Sequence, residues 1–154
     1  MPVSTHPIRW IALGLIALLI AVGCVIYLIY ARDMHNIRAH VTAESELALT
    51  RYGPVEFTRW GSGPAVLVIH GAGGGYDQGR LIPQVFGGDG YQWIAVSRFG
   101  YLRSVLPDDA STMAQAEAFA DLLDVLAIDR VAIVAMSGGV PPALQFAASY
   151  PDRT

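Results

Sequence analysis

The chain is 154 residues long, 53% apolar and 15% charged, with one cysteine, Cys24. That composition excludes a disordered segment and a disulfide scaffold, and the length leaves room for one domain at most. Thirteen acids stand against ten bases, all of them Arg, so the formal net charge is −3 and no basic footprint for a nucleic acid exists.

The first element is predicted from an uncharged run of 21 residues, Ile11 to Ala31. At ~1.5 Å per residue it crosses a hydrocarbon core of roughly 30 Å and predicts a single-pass transmembrane helix over residues 10–31. Trp10 at one end and Tyr27 with Tyr30 at the other stand where interfacial aromatics sit, beside Arg9 and Arg32. Residues 1–9 form a flank, and the lipid bilayer is the implied partner of residues 10–31. Arg9 before the run against Arg32 and Arg38 after it sets no orientation. A second reading stays open: Ala21-Val22-Gly23-Cys24 has the outline of a lipoprotein box, with Cys24 as the acylated residue. Residues 32–44 are polar and read as a linker continuing partly as helix.

The remainder alternates strand and helix signals. Glu46 to Thr50 and Val55 to Trp60 flank a Gly-Pro turn and pair as an antiparallel hairpin. Ala65 to Ile69 is continuously apolar, as in a parallel strand buried on both faces; a helix over Asp77 to Phe86 and a strand over Gln92 to Val96 complete a βαβ unit. Thr112 and Gln115 suggest a capping box for a helix whose apolar face runs Met113, Ala116, Ala120, Leu123 and Leu126. Val131 to Ala135 is a third parallel strand, and a helix follows through Ala143 to Ser149. The fold class is therefore α/β, a mostly parallel sheet with helices on both faces over residues 45–154.

Two strand-to-helix turns carry the chemistry. Ala135-Met136-Ser137-Gly138-Gly139 places a serine between small residues where a strand reverses into a helix, the pattern of a nucleophile elbow. Ala135 stands where Gly is usual, a departure of one methyl. His70-Gly71-Ala72-Gly73-Gly74-Gly75 follows the strand expected beside the elbow strand, so its free N–H groups can converge with that of Gly138 into an oxyanion hole.

With these motifs the chain resembles the N-terminal half of an α/β-hydrolase-fold protein of the esterase, lipase and peptidase group. Arg98 to Ser104, Asp121 to Leu126, and Pro141 to Arg153 add further agreement over Glu46 to Thr154. The resemblance implies Ser137 as nucleophile, Ala72 and Gly138 as oxyanion donors, and His70, Gly71, Gly73 and Gly139 as structural residues of the two motifs. It implies a small-molecule acyl substrate, with Tyr76, Phe99, Tyr101 and Met136 as residues that could line the cleft.

The resemblance also implies a triad in the chain order Ser, acid, His. Only seventeen residues follow Ser137, and His6, His35, His40 and His70 all precede it. Asp152 follows it, in a helix ending that reads as surface. The sequence thus predicts a fragment whose triad acid and His lie elsewhere, with Val131 to Ala135 left as an unpaired sheet edge. The alternative is a non-catalytic, membrane-anchored interaction module or an inactive truncated product. No cofactor is expected, because the glycine-rich turn lacks the Lys-Ser/Thr ending of a P-loop, and no cluster has metal-ligand spacing.

Overall fold

The structure, a computed structural model, describes residues 6–86 and 88–154. Residues 1–5 of the N-terminal flank and the side chain of His6 lie outside that description. The chain divides into two compact units, one ending at Ala43 and one running from Glu44 to Thr154.

The first unit is a single helix, α1 (His6–Ala43), of 38 residues. It is the one described helix long and apolar enough to cross a membrane, with a mean hydropathy of 2.8 over its most apolar window. No Gly or Pro interrupts the chain between Cys24 and Ala43, so the helix continues through the polar segment read as a linker. At ~1.5 Å per residue, α1 is about 57 Å long, nearly twice the hydrocarbon thickness.

The second unit is built on a five-stranded sheet of β1 (Glu46–Thr50), β2 (Gly53–Gly61), β3 (Ala65–Ile69), β4 (Gln92–Val96) and β5 (Ala132–Ala135). The spatial order is β1-β2-β4-β3-β5, with the β1–β2 hairpin antiparallel and β4, β3 and β5 parallel. The expected hairpin and parallel core are both present. Period-two alternation divides the core strands between two faces. Leu67, Ile69, Ile94 and Val96 enter the core with Phe119, Leu122 and Leu123 of α4 (Thr112–Val125) and with Ala143 and Phe146 of α5 (Val140–Ser149). Val68 and Ala95 face the opposite side, where α2 (Tyr76–Gly79) packs. A Cβ on Gly79 would lie 2.9 Å from the Ala95 Cβ, so glycine permits that close approach.

The expected helix over Asp77–Phe86 is two short ones, α2 and α3 (Ile82–Phe86), separated at Arg80 and Leu81. Pro83 explains the break, because its ring displaces the carbonyl four residues back and it donates no hydrogen bond. At α4 the N-cap is Ser111, whose hydroxyl accepts from the Ala114 N–H at 3.2 Å; Thr112 is already helical. The frame is one residue earlier than the capping-box pattern suggests. Met113 is correspondingly exposed, whereas Phe119 and Leu122 are buried. β5 forms an outer edge of the described sheet, as expected; Ala132 is accordingly exposed and Ile133 to Ala135 half-buried, not buried on both faces as the apolar run alone suggests.

Candidate active site

β3 and β5 run parallel with Ile69 opposite Ala135, and the Met136 N–H extends the ladder to the Ile69 carbonyl at 3.1 Å. The two turns therefore leave the sheet from paired positions. Ala72 lies three residues past Ile69 and Gly138 three past Ala135, so equal steps bring their N–H groups to one place. A Cβ built on Gly138 would lie 3.9 Å from the Ala72 nitrogen, and one on Gly71 would lie 3.2 Å from the Ser137 Cβ. Among the described residues, neither the Ala72 nor the Gly138 N–H donates a hydrogen bond within the chain.

Ser137 has φ 50°, the left-handed region that a residue with a Cβ seldom occupies. Met136 before it is extended and Val140 after it is helical, so the chain reverses from strand to helix within three residues. Pro141 and Pro142 start α5 in its first turn, where a missing N–H costs nothing. The strained reversal presses Gly139 against β3: a Cβ there would lie 2.6 Å from both the Ile69 and His70 carbonyl oxygens. Glycine is obligatory at that flank. Ala135, at the other flank, is half-buried and accommodated. Ser137 itself is exposed at the turn.

His70 is fully buried. Its Nδ1 lies 2.7 Å from the Gly71 carbonyl and its Nε2 accepts from the Arg98 N–H at 2.9 Å. With both ring nitrogens engaged and burial holding its pKa below the usual 6.5, His70 is a neutral strut tying the turn to the segment after β4. The Tyr101 ring meets it edge-on at 4.7 Å. No described histidine or carboxylate bonds to the Ser137 hydroxyl. Asp152 is exposed in the final turn.

Several supporting residues gave no sequence signal. Gln78 of α2 accepts from the Gly71 N–H at 3.0 Å, and a Cβ on Gly73 would lie 2.9 Å from its amide nitrogen. Glu56, fully buried in β2, accepts from Ser45 at 2.7 Å, Ser97 at 3.1 Å, and the Arg103 N–H and Nε at 3.1 and 2.7 Å. Ser97 in turn accepts from the Tyr76 N–H at 3.0 Å. This network anchors the Arg98–Ser104 loop below the glycine turn. Of the four residues considered for the cleft, Tyr76 and Phe99 are buried packing residues, while Tyr101 is half-buried and Met136 exposed.

No protein-family profile matches the chain. It is similar to the uncharacterized hydrolase YcgS of Bacillus subtilis, with 33% identity over 105 residues, 66% of this chain and 35% of that protein. It is also 34% identical over 99 residues, 61% of this chain and 35% of the relative, to a 2-hydroxy-6-oxo-6-phenylhexa-2,4-dienoate hydrolase of Burkholderia cepacia. Among solved structures, an α/β-hydrolase-fold protein from Nakamurella multipartita superposes with a TM-score of 0.67 at 34% identity, covering 71% of this chain and 38% of that one. The Glu44–Thr154 unit therefore has the α/β-hydrolase fold. The chain spans about a third of the length of the curated relatives it matches.

Proposed function

We propose that the chain is part of a membrane-anchored serine hydrolase that cleaves an ester, amide or similar acyl bond. The observation carrying this reading is the serine at φ 50° between β5 and α5, beside two N–H groups that meet no acceptor among the described residues. In the reaction, the Ser137 Oγ bonds to the acyl carbon as a general base takes its proton. The carbonyl oxygen becomes an anion held by the Ala72 and Gly138 N–H groups, and collapse of the tetrahedral intermediate expels the leaving group, which takes the proton and leaves the acyl group on Ser137. Water, giving a proton to the same base, then attacks that acyl carbon, and collapse of the second intermediate breaks the acyl–Oγ bond, releases the acid and returns the proton to Ser137. Removal of one such donor typically costs ~10²- to 10³-fold in rate.

A serine hydroxyl without a base is a poor nucleophile at neutral pH. This reading therefore assigns the general base and its acid to polypeptide beyond these 154 residues. The similarity to hydrolases supports the reaction class, and the dienoate hydrolase of Burkholderia cepacia, by its name, acts on a small organic acid. The anchoring half of the proposal rests on the apolar run of α1.

The test is turnover of p-nitrophenyl acetate by the protein as isolated from its natural source. Hydrolysis lost in Ser137→Ala, with its thermal midpoint retained, supports the reading. Hydrolysis unchanged in that variant contradicts it.

A further inference from the structure

We propose that Arg98 supplies a fixed positive charge to the oxyanion site, stabilising the negative oxygen from beneath the Ala72 and Gly138 N–H groups. The proposal rests on the serine-hydrolase reading above and adds to it a residue outside both turns.

A Cβ built on Gly138 would lie 2.8 Å from Arg98 Nη1, and the same point is 3.9 Å from the Ala72 nitrogen. The guanidinium thus occupies the space that a side chain at position 138 would need, alongside both candidate donors. Its Nη1 also lies 3.5 Å from the Gly71 carbonyl, a contact too long to satisfy it.

The guanidinium is also rigidly held. Arg98 Nε donates at 3.2 Å to Gln115, a buried residue of α4, and Cζ lies 5.5 Å from the centroid of the Tyr101 ring. Its backbone N–H is held by His70. A charge fixed before the reaction stabilises a developing anion without the reorganisation that a mobile charge requires.

Arg51, Arg59, Arg80, Arg103 and Arg153 each face a carboxylate. Arg98 is half-buried, yet among the described residues it makes no ion pair. Leaving a partly desolvated cation without a counter-ion is costly. An anion that forms beside it only during the reaction accounts for that arrangement, because the field then favours the transition state over the neutral ground state.

The experiment compares Arg98→Met and Arg98→Lys with the wild-type natural protein, using neutral p-nitrophenyl acetate and the anionic mono-p-nitrophenyl ester of glutaric acid. A unit charge several ångströms from the oxyanion predicts that Arg98→Met lowers kcat for the neutral ester by about 10- to 100-fold. KM should stay within about twofold, and Arg98→Lys should recover part of the loss. Gly138→Ala, which displaces the guanidinium while keeping its charge in the chain, serves as a second variant and should also lower kcat.

Three results would overturn the proposal. An unchanged kcat in a folded Arg98→Met removes the charge from the reaction. A loss confined to the KM of the anionic ester makes Arg98 a clamp for a substrate carboxylate. Equal losses in both Arg98 variants, matched by Gln115→Met and tracking thermal midpoint, make it a strut between loop and helix. Wild-type hydrolysis that does not depend on Ser137 marks a failure of the serine reading instead, and this proposal falls with it.

Discussion

Ser137 holds its side chain at the turn by occupying φ 50°, a conformation that costs a residue with a Cβ about 1–2 kcal/mol. Glycine has no such penalty, so Ser137→Gly is expected to raise the unfolding free energy by up to about 1 kcal/mol while abolishing hydrolysis, with denaturant titration as the check. A destabilised variant would contradict the strain argument. His70 yields a second prediction. Burial lowers its folded pKa below 6.5, so the unfolded chain binds more protons between the two values. The stability that neutral His70 provides is complete above the unfolded value and is lost as pH falls through it toward the folded one. The gap in unfolding free energy between wild type and His70→Gln should therefore narrow below about pH 6.5. A gap independent of pH would show that His70 does not titrate in that window. Both residues were legible in the sequence because their motifs are local. Gln78 was not, and Arg98 was legible only as part of the Arg98–Ser104 stretch, since the contacts of both with the two turns arise from the folded positions of α2 and the loop after β4.

At the scale of elements, the two turns depend on the parallel register of β3 and β5, which pairs Ile69 with Ala135. Apolar runs such as Ala65 to Ile69 identify buried strands but carry no register, so the choice of Ala72 and Gly138 as the two donors rested on the family resemblance and not on the strands themselves. The edge position of β5 was legible through the family resemblance rather than through its apolar run, and the break between α2 and α3 follows from Pro83, a local signal that the helix pattern over Asp77 to Phe86 overrode. The Arg98–Ser104 loop has a different support, the buried Glu56 carboxylate with Arg103 and two serines around it. A lone Glu among apolar strand residues reads as solvent-facing by alternation, which is why this anchor was invisible before the fold was known. Glu56→Ala leaves the Arg103 guanidinium without its carboxylate and buried donors unpaired, a change that typically costs about 3–5 kcal/mol. Chemical denaturation checks the loss. A cost below about 1 kcal/mol would mean that the loop is held by other contacts.

At the scale of the molecule, the chain joins an apolar helix of 38 residues to an α/β-hydrolase domain that begins at Glu44. Hydropathy made the helix legible from sequence; its continuation to Ala43 depends on the absence of Gly and Pro from a polar segment, a weaker signal than apolarity. Spanning by residues 10–31 predicts that the natural protein stays in the membrane pellet through alkaline carbonate extraction. Retention in Cys24→Ser would fit a spanning helix, whereas release on that substitution would favour acylation at Cys24. Release of the wild-type protein by carbonate would contradict both forms of anchoring.

The proposed reading makes Ser137 a nucleophile activated by a base and acid supplied outside residues 1–154. It is tested most directly by treating the natural protein with a fluorophosphonate and locating the adduct by peptide mass spectrometry. Stoichiometric modification at Ser137 is expected, absent in Ser137→Ala and slower by orders of magnitude in residues 1–154 expressed alone. A folded natural protein that remains unmodified at Ser137 would contradict it.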